Sequence, residues 1–316
     1  MSSRLQQRRT RLQAEYGFDF PDDFRRFWEF VSRLSPLDPL NALAEVAGVV
    51  LVGPFEVLSG RFDGRVPRYS LLLHWRYHDD PPEFFTVLAG DTDGLHWGYY
   101  LDDPGEPGCV ASYYARDAFE LSTDGDSLFE ALRLHLEYRY RDNEEYRAED
   151  EENTAAYDEE LRKLDELRRR LMRYETADRP ETGEEYTTLY AGISRRESAV
   201  VAATREGMGI VMPEDLYRPL SLDDNKLWRT VRRSEEPESL IAEAWQALRD
   251  GFPGTALKLG KDLWAVGGEA RSALAMELMD AAYQALERPI LRRVLATHRA
   301  NRALPTVDIL EAEGEE

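Results

Sequence analysis

The sequence predicts an α+β fold: an N-terminal antiparallel meander sheet packed with helices, followed by a mainly helical C-terminal part with a small sheet. Three observations predict it. A helical stretch with one aromatic face lies near the start. Five short runs rich in β-branched and aromatic residues follow, with turn pairs such as Asp63-Gly64 and Asp93-Gly94 between several of them. From Glu238 onward, helical periodicity dominates.

Pro21 to Leu34 begins Pro-Asp-Asp and places Phe24, Phe27, Trp28, Val31 and Leu34 at helical spacing, with acids in the first turn where the helix dipole favours them. The runs Val49 to Leu58, Tyr69 to Arg76, Phe84 to Ala89, Leu95 to Leu101 and Cys109 to Ala115 read as strands of a meander. Asp126-Ser127 offers an N-cap to a helix from Leu128 to about Arg141, with Phe129, Leu132, Leu136 and Tyr140 as its buried stripe. These elements make a first domain, residues 1–141. The stretch RDNEEYRAEDEEN is almost without apolar residues, so residues 142–155 read as an acidic linker and 156–316 as a second domain. That domain opens with a helix from Tyr157 to Tyr174 carrying Leu161, Leu164, Leu167 and Leu171, then a polar loop from Glu175 to Glu185. Short strands at Ser198 to Ala203 and Met208 to Met212 precede helices at about Glu238 to Arg249, Ala256 to Ala265, Arg271 to Glu287 and Pro289 to Arg302. A chain of 316 residues can bury two ordinary cores.

Composition narrows the function. Hydrophobic residues make up 42% and aromatics 11%, which supports packed interiors despite 32% charge. Sixty-one acids against 40 bases leave a net charge of -21, which repels phosphate backbones and anionic membranes. Direct nucleic-acid binding is therefore disfavoured, while encounter with a basic partner or a basic tail is assisted. Cys109 is the single cysteine, so an intrachain disulfide, a CxxC pair and a cysteine-rich zinc site are excluded. No apolar run approaches a membrane helix, and MSSRLQQRRTRLQ lacks a signal-peptide core. An unsecreted, soluble monomer is expected, cytoplasmic if bacterial and nuclear if eukaryotic. Lysine occurs only at Lys163, Lys226, Lys258 and Lys261 while arginine is abundant, a bias that fits a GC-rich bacterial genome.

Four segments carry a family resemblance: YGFDFPDDFRRFWEF (Tyr16 to Phe30), VGPFEVLSG (Val52 to Gly60), YSLLLHWRYHDDPPEFFTVLAGDTDGLHWGYYL (Tyr69 to Leu101) and LKLGKDLWAVG (Leu257 to Gly267). In this order, from about Tyr16 to Arg302, the chain resembles the histone PARylation factor family. The resemblance implies an accessory protein of a poly(ADP-ribose) polymerase-like enzyme with a place in the DNA damage response. It also implies no cofactor of the chain's own, NAD being bound by the partner enzyme, and a polymerase-binding face on the helical domain. The implied action is to complete a composite active site, direct ADP-ribosylation to serine acceptors of a protein substrate, and limit chain elongation.

Asp250 follows the helix ESLIAEAWQALR and precedes Gly251, so its carboxylate belongs at a helix C-terminus, where the dipole pushes proton affinity upward and suits a general base. Read alone, Asp250-Gly251 is more simply a helix-ending turn. In the resembling family this position holds an Asp-Glu pair whose Glu takes the proton from a substrate serine; here the pair is Arg249-Asp250. Counting back without gaps from Leu257 puts Asp250 on the Glu, whereas aligning through Gln246 with one deletion puts it on the Asp. Asp is one methylene shorter than Glu, and a base must lie about 2.6 to 3.2 Å from its hydroxyl. Arg249, a base in place of an acid, alters the contacts offered to the polymerase. Tyr217-Arg218, in MPEDLYRPL, matches the family's Tyr-Arg motif, which implies that Arg218 orients Asp250, a substrate group or an acidic tail. A surface arginine paired with Glu214 or Asp215 is the plainer reading.

His74, Trp75, Tyr77, Asp79 and Asp80 match no metal spacing and would alternate across a strand, so they are read as structural. His298, in THRANR, is read as helix packing or interface. Gly254 to Asp262, GTALKLGKD, fails as a P-loop, and HExxH, GxSxG and GxGxxG are missing. Two other readings compete: a non-catalytic immunity or scaffold protein, because YGFDFPDDFRRFW also resembles the SMI1/KNR4 superfamily, and a free-standing enzyme acting on ADP-ribosylated protein, for which one carboxylate and no nucleotide loop are poor equipment.

Overall fold

The computed structural model describes residues 3–117, 119–150, 152–174, 186–187, 194–233 and 237–312. The expected polar loop from Glu175 to Glu185 lies outside them. The fold is α+β, as the sequence predicts.

Helix α1 (Ser3–Tyr16) leads into α2 (Asp22–Leu34), which buries Phe24, Phe27, Trp28, Phe30 and Val31. A short α3 (Ala44–Ala47) precedes the sheet, which runs β1 (Val49–Leu51), β2 (Phe84–Gly90), β3 (Leu95–Tyr100), β4 (Cys109–Tyr114) and β5 (Ser122–Gly125) in spatial order 1-2-3-4-5, every pair antiparallel. This is the expected meander, with one predicted strand cut short and one lost. Val49 to Leu58 is a strand only to Leu51; Gly53 takes a left-handed φ of 57°, and Pro54, which has no N–H to lose, opens α4 (Pro54–Ser59). A Cβ at Gly53 would meet the Thr86 carbonyl oxygen at 2.7 Å, so only glycine fits that turn. Tyr69 to Arg76 is a 3-10 turn, Leu71–Leu73, with all three leucines buried. Ser70 Oγ accepts from Leu72 N–H at its start, and Trp75 at φ 59° ends any extended path. The fifth strand of the sheet is instead β5, too polar to announce itself.

The two sheet faces have different partners. Trp97, Tyr99, Val110 and Val87 join the main core beneath the helices, while Phe84, Tyr100, Cys109, Ala111 and Tyr113 form a second cluster on the opposite face with Leu121 and Met208. On the first face Tyr99 donates to Asp23 at the start of α2, and the same Asp23 oxygen accepts from Leu128 N–H at the start of α5 (Leu128–Glu149), each at 2.8 Å. Helix α5 does not stop at Arg141. Glu, Arg and Ala are strong helix formers whatever their polarity, so it continues through most of the acidic stretch. It packs against α6 (Thr154–Leu171), with Arg147–Asp158 at 2.5 Å and Arg168–Glu137 at 3.3 Å across the pair.

Beyond lie a two-stranded sheet, β6 (Val200–Ala202) with β7 (Ile210–Val211), and helices α7 (Asp224–Arg233), α8 (Glu238–Arg249), α9 (Pro253–Val266), α10 (Glu269–Ala285), α11 (Pro289–Asn301) and α12 (Ile309–Ala312). Helix α9 is buried from Pro253 to Trp264, charges included. The main apolar core runs continuously from Leu12 to Ile309 and draws side chains from both halves of the chain. No described helix is long and apolar enough to cross a membrane.

Candidate functional site

Asp250 caps the C-terminus of α8. Gly251 N–H returns to Leu248 O and Phe252 N–H to Ala247 O at 2.9 Å, with Gly251 left-handed at φ 93°, so the helix does end in the turn that the local sequence suggests. The turn also presents the carboxylate outward. Gln246, one helical turn earlier, donates through Nε2 to Asp250 Oδ1 at 2.7 Å, and Arg218 Nη2 donates to Oδ2 at 3.0 Å. Arg249 Nη2 donates to Gln246 Oε1 at 2.7 Å, which orients the Gln246 amide toward Asp250.

Arg218 is brought across 32 residues of sequence by the chain around it. Its N–H donates to Thr255 Oγ1 at 3.2 Å, and that hydroxyl donates back to the Arg218 carbonyl at 2.5 Å, latching the loop to the first turn of α9. The guanidinium lies 4.7 Å from the centre of the Phe252 ring, a cation–π contact. Gly254 admits the same loop closely, since a Cβ there would meet Met212 Sδ at 2.4 Å and Leu216 O at 3.1 Å. Tyr217 has an extended backbone and is half-buried; burial raises its hydroxyl, against Lys258 and with Asp224 and Asp262. Neither Glu214 nor Asp215 takes Arg218: Asp250 does.

Two side chains at this site, Gln246 and Thr255, escaped the sequence reading as partners. The i, i+4 spacing of Gln246 and Asp250 is a visible signal; the Thr255 latch has none.

The electrostatics run opposite to the expectation from the helix terminus. The Arg218 hydrogen bond, then the Gln246 one, hold the Asp250 carboxyl below the usual aspartate range. A helix dipole end carries about half a charge, whereas Arg218 brings a full charge in direct contact, so the guanidinium decides. Both side chains are substantially exposed, 41% for Arg218 and 38% for Asp250.

What fixes this corner to the rest of the fold is a buried ionic junction on α9. Lys261 Nζ lies 2.9 Å from Glu206 Oε1 and 3.4 Å from Glu83 Oε1, and also donates to the Tyr100 hydroxyl. Tyr283 donates to Glu83 Oε1 at 2.7 Å. Helix α9 is thereby tied to the sheet, to the β6–β7 connection and to α10. Beside it Arg196 grips Asp102 through two nitrogens at 2.6 and 2.8 Å.

A family model described as histone PARylation factor 1 matches residues 7–302. The chain belongs to this family. Histone PARylation factor 1 of cattle (Bos taurus) is 30% identical, aligned over 96% of this chain and 89% of its own length. The mouse (Mus musculus) protein gives the same figures, and the zebrafish (Danio rerio) protein is 29% identical over 96% and 88%.

In this histone PARylation factor family member the polar string after Tyr69 is built into the fold. His74 Nε2 meets Glu56 Oε2 at 2.5 Å, and Asp80, fully buried, accepts from Tyr113 OH at 2.6 Å and Tyr77 N–H at 2.9 Å with His96 Nε2 at 3.2 Å. Asp79 offers its carbonyl to Trp264 Nε1 at 2.8 Å. His298 is buried beside Trp264, and burial pushes its imidazole down to about 3, which keeps it neutral. Among the described residues no group of three or more His, Cys, Asp or Glu side chains is placed to hold a metal ion.

Proposed function

We propose that this chain docks its C-terminal helical face on the catalytic domain of a poly(ADP-ribose) polymerase-like enzyme and inserts Asp250 beside the NAD that the enzyme holds. Asp250 accepts the proton of a substrate serine hydroxyl. The serine oxygen forms a bond to the anomeric carbon of the nicotinamide ribose as the carbon–nitrogen bond breaks, and nicotinamide leaves with the electron pair. Arg218 orients the carboxylate, while Arg249 and Tyr217 contribute to the docking face. Occupying the acceptor channel limits polymer growth, and the acidic surface suits basic substrates such as histones. The factor is not an enzyme alone and carries no cofactor.

The observation that carries this reading is an ionised, outward-facing carboxylate, held by Arg218 and Gln246, in a chain matched by the family along almost its whole length. The test is ADP-ribosylation of a histone peptide by a poly(ADP-ribose) polymerase with wild-type factor, Asp250→Ala or Arg218→Gln, the modified residue type being mapped by mass spectrometry. Serine modification should fall by about 10² to 10⁴-fold with Asp250→Ala while binding to the polymerase persists. Equal serine modification by the wild type and Asp250→Ala overturns the base assignment. If the chain neither binds the polymerase nor changes its acceptor, a non-catalytic binding role of the SMI1/KNR4 kind replaces it.

A further inference from the structure

The pairing of β4 with β5 slips by one residue. Val110 faces Gly125 and Ala111 faces Thr123, so Asp124 is the additional residue of a β-bulge. Bulges re-aim side chains, and this one turns Asp124 toward Trp97 and Ser112, a cross-strand pair on neighbouring strands. Ser112 and Trp97 face the carboxyl as hydrogen-bond donors, yet its Oδ2 is buried with no hydrogen-bond partner.

Asp124 lines an open groove of about 490 Å³ between the ends of β3, β4 and β5 and the helix α5. Trp97, Tyr114 and Tyr138 supply aromatic walls, and Glu197 adds a second carboxylate. Tyr114 and Tyr138 are among the few large apolar side chains left exposed, at 44% and 37%. Among the described residues no lysine or arginine lines the groove, and His135, whose ring is pushed down by burial, is neutral at pH 7. The guanidinium of Arg141 already stacks on the Tyr138 ring, 5.0 Å from its centre, so that ring accepts a cation. An anionic ligand would face Asp124 and Glu197 with no cation among the lining residues. A purely apolar one would cover a desolvated carboxyl without satisfying it.

We propose that this groove binds a lysine or arginine side chain of a basic peptide, with Asp124, which gives up its proton as the cation docks, as its counter-ion and Trp97, Tyr114 and Tyr138 as its aromatic walls. The assignment of that peptide to the ADP-ribosylated substrate rests on the function proposed above; the binding itself does not. The site would give the factor a hold on its basic substrate independent of the polymerase.

The experiment titrates full-length protein with a fluorescent lysine-rich peptide by anisotropy, in the absence of polymerase and NAD, so a failure of the catalytic reading leaves the result intact. The comparison peptide carries norleucine in place of each lysine. Asp124→Asn keeps the size of the side chain and removes its charge; Tyr138→Ala alters the exposed rim, where folding is least at risk. Asp124→Asn should weaken the lysine peptide about tenfold or more, and Tyr138→Ala about threefold or more. The norleucine peptide should not bind measurably. Equal binding by wild type, Asp124→Asn and Tyr138→Ala overturns the site, as does equal affinity for the norleucine peptide or no binding of the lysine peptide at millimolar concentration.

Discussion

Replacing Lys261 by methionine keeps a long apolar stem and removes the cation between Glu83 and Glu206. All three side chains are at most 2% exposed, so the two carboxylates cannot turn to water. Breaking one partner out of a buried ion pair costs about 3 to 5 kcal/mol, a large part of the 5 to 15 kcal/mol that holds a typical domain together. The deficit should depend on pH. In the wild type, burial alone would raise the Glu83 carboxyl, but Lys261 and the Tyr283 hydroxyl outweigh it and hold it below its ordinary value. Its contribution is therefore present above the unfolded carboxylate range and lost on acidification. In the variant, burial is left unopposed by Lys261 and the Glu83 carboxyl folds best protonated, so its contribution falls as pH rises. The difference between the two proteins should thus grow from about pH 4 to pH 7. Urea unfolding followed by tryptophan fluorescence measures it, and Lys261→Met combined with Glu83→Gln and Glu206→Gln should recover most of the loss. A deficit below about 1 kcal/mol at pH 7, unchanged at pH 5, would refute the reasoning.

Gly254→Ala drives a methyl into Met212 and the Leu216 carbonyl, and should cost about 1 to 3 kcal/mol in urea unfolding while disturbing the loop that delivers Arg218. Serine modification should fall with it more than polymerase binding does; unchanged stability and activity would show that the loop yields freely. Burial pushes the Asp124 carboxyl up to about 7, against the Ser112 and Trp97 bonds, so the folded chain keeps a proton that the unfolded chain releases above about pH 4. Stability should therefore fall by up to about 4 kcal/mol as pH climbs from about 4 to 7, and Asp124→Asn should flatten that part of the thermal-unfolding profile relative to the wild type.

Two kinds of element were readable in the sequence. The α2 stripe and helices α8, α10 and α11 cluster apolar residues at helical spacing, and the runs that became β2, β3 and β4, although buried on both faces, are marked by their β-branched and aromatic residues. Phe55, Val57 and Leu58, like Leu71 to Leu73, are buried on all sides, and a run without an exposed face carries no period to separate strand from helix. Strand β5, Ser-Thr-Asp-Gly, and helix α1, rich in arginine and glutamine, lack the apolar content that marks an element. At the site, Asp250 and its turn were legible from local chemistry. Its pairing with Arg218 was one of several that the resemblance allowed, and the residues alone did not select it over Glu214 and Asp215, because the Thr255 latch on the Arg218 loop is a tertiary contact. Nor does the sequence mark Lys261 of α9 as buried, since its partners Glu83 and Glu206 come from distant parts of the chain.

The pairing of Arg218 with Asp250 makes the availability of that carboxylate conditional. Alone, the chain presents a nearly self-cancelling couple, so this corner offers neither a naked anion to passing cations nor an unmatched guanidinium to passing acids. An approaching surface that brings its own carboxylate to Arg218 takes a contact from Asp250 in the same event. Recognition at one residue and release at the other become a single event, which leaves the Asp250 carboxylate held by the neutral Gln246 amide.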